Sequence, residues 1–450
     1  MRRRFKRNST HRFLLPIVAG FALVTAGCGG GQYAEVSPEE IPQLEERLAQ
    51  DPDNGDLILR YAAALFAAQQ CDTARTAAVA GMRLQPRNAV GPLVTGQCLE
   101  LDGEYDQAIA VYREYLDRFP DHAGAPAVRA RETFAVRTRA TERARSALQQ
   151  ETVLAQQPAD PQTLAVLPIE IAGDSSYQPL SRGLAEMMTA DLALLQRFRM
   201  VERLQVNALL GEMELAEAGQ VDQATAARVG HLLQAGQMVQ GLAAIPPDGE
   251  VRLEATVVRL DGQVTSPQVA TGSFRRLLDM EKEIVIGIAD ELGYSLSEAE
   301  RRAILENGTQ NLAAFLAYSQ GLAAEDLGDY SGAAAYYAAA VRSDPSFNSA
   351  RNRHQASAAA PTVQQASPGQ VTQVATTTVT APELVPAAMG DVMISTVWDI
   401  AATQAEQNMA GTNTQQTVGQ STNTTNAQPP PTVTQVGSSI GTIRIIIPIP

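Results

Sequence analysis

The sequence is poor in the residues that catalysis and nucleic-acid binding depend on. Among 450 residues there are four histidines, three cysteines and one tryptophan. His11 sits in the leader. His122 follows Pro120 in a loop, His231 falls within a helix and His354 in a polar tail, and none is read as a ligand. HExxH, CxxC, a nucleophile elbow and a phosphate loop are all missing. The expectation is a non-enzyme with no cofactor and no metal. Basic charge is scarce as well. Six of the 35 basic residues lie in the first twelve positions, so 29 basic face 49 acidic residues beyond them, a formal −20. No basic stripe interleaves with aromatics, so nucleic acid is excluded as a partner. Lysine occurs only at Lys6 and Lys282, which reads as compositional bias. Acidic groups such as Glu45-Glu46 and Asp279/Glu281/Glu283 read as solvated helix faces. No stretch reaches the ~20 apolar residues of a membrane-spanning helix.

What is present begins with an address. Arg2, Arg3, Arg4, Lys6, Arg7 and Arg12 precede an apolar run at 13–24, followed by Thr25-Ala26-Gly27-Cys28. Basic, apolar and small-residue regions in that order make a secretory signal. Small residues directly before cysteine resemble the bacterial lipobox, so residues 1–27 read as a lipoprotein signal and Cys28 as the lipidated residue. Ordinary cleavage and an uncleaved anchor are the alternative readings. Residues 28–37 contain Gly29-Gly30-Gly31 and read as a flexible tether. Gly29 after the cysteine resembles outer-membrane sorting, so the expected location is the outer membrane, facing the periplasm, with lipid as the anchor.

Pro52, Pro86 and Pro120 are spaced 34 residues apart. That is the period of the tetratricopeptide repeat, a pair of helices closed by a proline that cannot continue the hydrogen-bond ladder. Gly96, Leu99, Gly103-Glu104-Tyr105, Ala108, Tyr112 and Pro120 fill one unit. Gly321, Ala324, Gly328-Asp329-Tyr330, Ala333, Tyr337 and Pro345 repeat its offsets downstream. The segment 38–150 is expected to be a repeat domain with an extra leading helix, and 306–350 a single unit resting on its neighbour, because one unit cannot bury its apolar face alone. Cys71 begins the second helix of one unit and Cys98 lies late in the first helix of the next. A disulfide and two buried thiols are both compatible with that placement.

Between the repeats, 160–305 reads as alternating strands and helices: strands at 163–169, 199–202 and 238–242, helices at 180–195, 206–218, 223–233 and 280–292, and a hairpin of 251–260 with 264–274 across Asp261-Gly262. The segment around Gly173-Asp174 reads as a loop. The expected class is α+β, with a helical repeat solenoid, a central domain with a mixed sheet, a helical pair and a tail. Ala165-Val166-Leu167-Pro168, the run from Gly183 to Leu192, Arg197-Phe198-Arg199-Met200-Val201-Glu202-Arg203, Leu209-Leu210-Gly211-Glu212, Ala226-Ala227-Arg228-Val229-Gly230 and Met238-Val239-Gln240-Gly241 together resemble the CsgG family of curli-secretion lipoproteins. The resemblance covers about 163–292 and implies a fold like the amino-terminal domain of TolB and the lipoprotein LpoB. The long amphipathic hairpins with which pore-forming members build a barrel have no counterpart here.

From residue 351 onward Ala, Gln, Thr, Val, Pro, Ser and Asn dominate, and a mostly disordered tail is expected. Residues 392–402, with Trp398, are read as a short helix. Residues 440–450 are read as a sticky end or a strand folded back, the alternative being a strand donated to a partner. The leading expectation is a non-enzymatic envelope lipoprotein that binds envelope proteins through its repeats and CsgG-like domain as an adaptor or assembly factor. Membrane contact runs through Cys28, and homo-oligomerisation is left open. The alternatives are a membrane-spanning secretion-channel component and an LpoB-like activator of a cell-wall synthase.

Overall fold

The computed structural model describes residues 35–213, 223–247 and 249–376, with the backbone alone described at 223–224. The expectations for Cys28, 392–402, 440–450 and tether residues 28–34 lie outside the described residues. The last tether positions need correction: Val36 is 1% exposed and its N–H donates to the Gly369 carbonyl, so the chain is already packed there.

A short 3₁₀ turn (Pro38–Glu40) leads into α1 (Ile41–Gln50). Two helical hairpins follow, α2 (Gly55–Ala67) with α3 (Cys71–Leu84), then α4 (Val90–Leu101) with α5 (Tyr105–Arg118). The long α6 (Ala125–Gln149) packs on α5, and the single turn α7 (Glu151–Leu154) ends the block. The prolines act as stops. α1, α3 and α5 end at Gln50, Leu84 and Arg118, each two residues before Pro52, Pro86 or Pro120. Asn54 caps α2 by accepting from the Leu57 N–H at 3.0 Å. Gly103 turns the chain between α4 and α5 at φ +79°.

The central domain holds β1 (Asp160–Val166), β2 (Glu170–Gly173), α8 (Leu180–Leu194), β3 (Arg199–Met200), α9 (Arg203–Glu212), α10 (Gln223–Leu233), β4 (Ala235–Ile245), β5 (Val251–Arg259), β6 (Gln268–Gly272), α11 (Leu277–Glu291) and α12 (Glu298–Glu306). The strands form one mixed sheet in the order β3-β1-β4-β5-β6, with β2 also paired to β4. β1 runs parallel to β3 and β4, while β4-β5 and β5-β6 are antiparallel. Alternation decides the layers. Val239, Leu253 and Val257 face Met188 and Ile284 of α8 and α11, whereas Met238 and Val258 face Leu209 and Val229 of α9 and α10. The expected turn at Asp261-Gly262 is present, with Gly262 at φ +82°. The strand expected over 264–274 is shorter. Only 268–272 pairs continuously with β5, and Val264 makes an isolated bridge to Val258. Glu170–Gly173, read as part of a loop, is a strand parallel to β4.

The chain then returns to helices: α13 (Leu312–Asp326), α14 (Tyr330–Ser343), α15 (Asn348–Gln365) and the single turn α16 (Val371–Val374). One expectation needs correction here. The disordered tail does not begin at 351, because α15 is a helix buried along one side. Ala356, Ala359, Ala360 and Val363 recur at helical spacing and are 7% exposed or less. Their small side chains bring α15 against α6, and a low-complexity composition concealed that stripe. The helical pair expected at 306–350 does rest on its neighbour, and only its number of helices differs. α13 packs on α8, and α15 adds a third helix bridging α14 to α6.

Candidate functional site

The helical units share a buried device. Gly96 has no side chain, and a Cβ there would come within 2.2 Å of the Tyr112 ring; Gly321 stands in the same relation to Tyr337, at 2.4 Å. Each tyrosine passes under its glycine and donates to a glutamate, Tyr112 to Glu100 and Tyr337 to Glu325, both at 2.6 Å. Each glutamate also pairs with an arginine of the following long helix, Glu100 with Arg131 and Glu325 with Arg353.

In the downstream unit this device extends into the central domain. Arg353 of α15 reaches past Glu325 to Glu186 of α8 at 2.6 Å and donates to the Tyr318 hydroxyl at 3.0 Å. Glu186 also accepts from Arg203 Nε at 2.8 Å. Arg203, at the start of α9, then holds both oxygens of Asp326 at 2.8 and 3.2 Å. Arg182 and Asn207 complete the shell of Asp326 at 2.9 and 3.1 Å. Arg137 of α6 donates to the carbonyls of Glu325 and Asp326, capping the end of α13. Three guanidinium groups thus face three carboxylates, and the fork geometry of arginine satisfies several oxygens at once. Burial alone would raise the Glu186 carboxyl, but Arg353 and Arg203 hold it down to about 2. Burial pushes the Tyr318 hydroxyl up to about 12. The neighbouring Glu202 turns the other way and pairs with Arg139 of α6 and with Arg113 of α5.

Beside this junction lies a groove of 750 Å³ between α5, α6, the start of α9 and α15. Leu204 and Val136 supply its apolar wall, and Arg113, Arg129, Asp117 and Arg351 its polar rim. Arg129 is spent internally, donating to the Pro120 carbonyl at 2.9 Å and to Gln355 at 2.7 Å. The groove is both polar and apolar, a chemistry suited to a protein segment.

A second buried cluster lies between α8 and α11. Lys282 contacts Asp191 at 2.5 Å and Glu281 at 3.5 Å, and Asn307 donates to Asp191 at 2.7 Å. Glu281, for which the sequence predicts a solvated face, is 0% exposed. Asp191, placed on the otherwise apolar stripe of α8, is also 0% exposed.

Cys71 opens α3 and Cys98 lies late in α4, with their Cα atoms 5.4 Å apart and their sulfurs placed as a disulfide. His122 accepts from the Gly124 N–H at 3.2 Å and contacts the Tyr115 hydroxyl at 2.9 Å. His354 lies on α15, not in a polar tail, and burial lowers its pKa.

Residues 151–244 match the family model of the curli production assembly/transport component CsgG. The chain carries a CsgG domain. Residues 316–347 match a tetratricopeptide repeat, and no curated protein matches the chain. The CsgG match runs from α7 into β4 and contains Glu186, Glu202 and Arg203; β5 and β6 complete its sheet, and α11 packs on them, beyond the matched residues. The repeat match contains Glu325, Asp326 and Tyr337. The ion network therefore joins a CsgG domain to a tetratricopeptide repeat. Among the described residues, no helix is long and apolar enough to cross a membrane.

Proposed function

We propose that this protein is a non-enzymatic, lipid-anchored adaptor of the cell envelope, serving the assembly or secretion machinery to which the CsgG family contributes. One observation carries the reading. The charged pair of the most recognisable family block, Glu202-Arg203, is spent on fixing the CsgG domain between two helical units. Such an arrangement presents a protein-binding groove on a rigid frame and devotes its buried charge to architecture. Cys28 supplies the lipid, on the outer membrane and facing the periplasm. The antiparallel β4-β5 and β5-β6 pairs belong to the domain's own sheet, which supports an adaptor over a channel.

The groove provides the test. A photo-crosslinking residue replacing exposed Asn352, at its rim, should capture secretion or assembly proteins of the envelope in cells. Capture of a cell-wall synthase would replace this reading with synthase activation. Ion conductance by reconstituted protein would replace it with a channel. For the anchor, a Cys28→Ser protein should fail to incorporate radioactive palmitate, and equal labelling would refute lipidation.

A further inference from the structure

The first helices of the two amino-terminal hairpins do not stand open. Residues 367–376, which follow α15 and belong to neither hairpin, lie across α2 and α4 and reach the start of α6. The segment is self-structured. The Ser367 N–H is held by the Gln370 side chain at 2.8 Å, Pro368–Gln370 forms a 3₁₀ turn, and α16 adds one helical turn. Val371, Val374 and Ala375 are buried to 2%, 8% and 1% exposure in the same core as Leu59, Ala89, Val90 and Leu93.

The fit is made at two close backbone approaches. The Val36 N–H donates to the Gly369 carbonyl at 2.8 Å, and a Cβ on Gly369 would come within 2.6 Å of the Val36 carbonyl. A Cβ on Gly124 would come within 2.4 Å of the Ala375 carbonyl. The segment leaves part of the face unfilled. Beside Thr372 remains a polar cleft of 240 Å³ lined by Glu40, Arg47, Asn54, Arg60 and Asn88. The face is thus larger than its occupant.

We infer that the α2–α4 face is a peptide-binding surface occupied in the resting chain by its own residues 367–376, an intramolecular ligand that a partner must displace. The occupant defines the chemistry the face takes. It is a short uncharged peptide with glycine where the backbones meet and two buried valines three residues apart, so that both lie on one side of a helical turn. The inference concerns a different surface from the α5–α6–α15 groove and does not depend on the envelope reading.

Two arrangements of the full-length chain test it. In the first, Val371→Asp and Val374→Asp expel the segment, and a fluorescein-labelled peptide of residues 365–376 is titrated by anisotropy. The substituted chain should bind at least tenfold more tightly than the wild type, and a peptide carrying the same two aspartates should not bind. A folded substituted chain that ignores the wild-type peptide overturns the inference. In the second, a specific protease site inserted after Gln365 separates the segment without changing its sequence. After cleavage the carboxy-terminal fragment should co-elute with the body and be displaced by excess free peptide. Unfolding on cleavage, or a fragment that excess peptide never displaces, would make the segment a fixed piece of core and overturn the proposal. A wild-type dimer whose cleaved fragment exchanges between copies would assign the segment to a second molecule, which also overturns it.

Discussion

At the scale of single residues, buried charge separates into one solved and one unsolved arrangement. The Arg203–Asp326–Glu186–Arg353 network is balanced and saturated with hydrogen bonds, whereas the α8–α11 cluster sets two carboxylates against one ammonium. Among the described residues neither Glu281 oxygen has a hydrogen-bond partner beyond the 3.5 Å contact to Lys282. Burial, and then the charge of Asp191, push the Glu281 carboxyl well above its ordinary value of 4.5. The folded chain thus prefers it neutral, while the unfolded chain ionises it near 4.5. The stability that a neutral Glu281 provides is complete below 4.5 and is lost as pH rises through the folded-state value. Glu281→Gln keeps the shape and removes the ionisation. Its urea midpoint should fall less between pH 5 and pH 8 than that of the wild type, and equal falls would exclude this account. Glu281 was illegible in sequence because charged residues at 279, 281, 282 and 283 resemble an exposed face. Only the packing of α11 on α8 turns two of them inward.

At the scale of elements, the helical hairpins were readable because their constraints are local. A proline two positions past a helix, a glycine that admits a tyrosine ring and a glycine turn all act within one hairpin. Gly321→Ala tests that logic. The added methyl would meet the Tyr337 ring, which is fully buried and fixed by Glu325, so relief must shift the hairpin. Overpacking of this kind costs about 1–3 kcal/mol, measurable as a lowered urea midpoint. A midpoint unchanged within error would show that the hairpin has room to spare. Cys71 and Cys98 bring together two helices of adjoining hairpins 27 residues apart in sequence. A bridge over that interval contributes roughly 3 kcal/mol by restricting the unfolded chain. Unreduced peptide mass spectrometry should find the linked pair, and Cys71→Ser should lose that stability; free alkylation of both thiols without reductant would show them unbridged. What sequence reading missed at this scale lacked a distinctive apolar signature. β2 has four residues beginning two positions after Pro168, and α15 hides its buried stripe in alanines.

At the scale of the whole molecule, the described residues are joined by pairings that no sequence window contains. Arg203 meets Asp326 across 123 residues and Arg353 meets Glu186 across 167. Their place in the fold follows only when α13 packs on α8 and α15 on α6. Glu186 makes the junction sensitive to acid. Its folded value near 2 lies below the ordinary 4.5, so its contribution is present above 4.5 and is lost as pH falls toward 2. This is the opposite limb from Glu281. A Glu186→Gln chain should therefore show a flatter acid limb in its stability profile, and an unchanged slope between 4.5 and 2 would remove Glu186 as its source.

The same junction determines how many units unfold. The CsgG domain and the helical units each have a core of their own, so the interfaces between them decide whether they melt together. Asp326→Ala leaves Arg203 buried without its bidentate partner and frees Arg182. Removing one partner of a buried ion pair costs about 3–5 kcal/mol, because the remaining charge is uncompensated. That loss falls at the interface, so the wild type should unfold in one transition, with tryptic cleavage at α9 and α14 exposed at the same urea concentration. In Asp326→Ala the α14 site at Arg342 should be exposed first, at a distinctly lower concentration than the α9 site at Arg203. If both sites still opened together at a lowered midpoint, the network would serve stability without coupling the CsgG domain to the repeat.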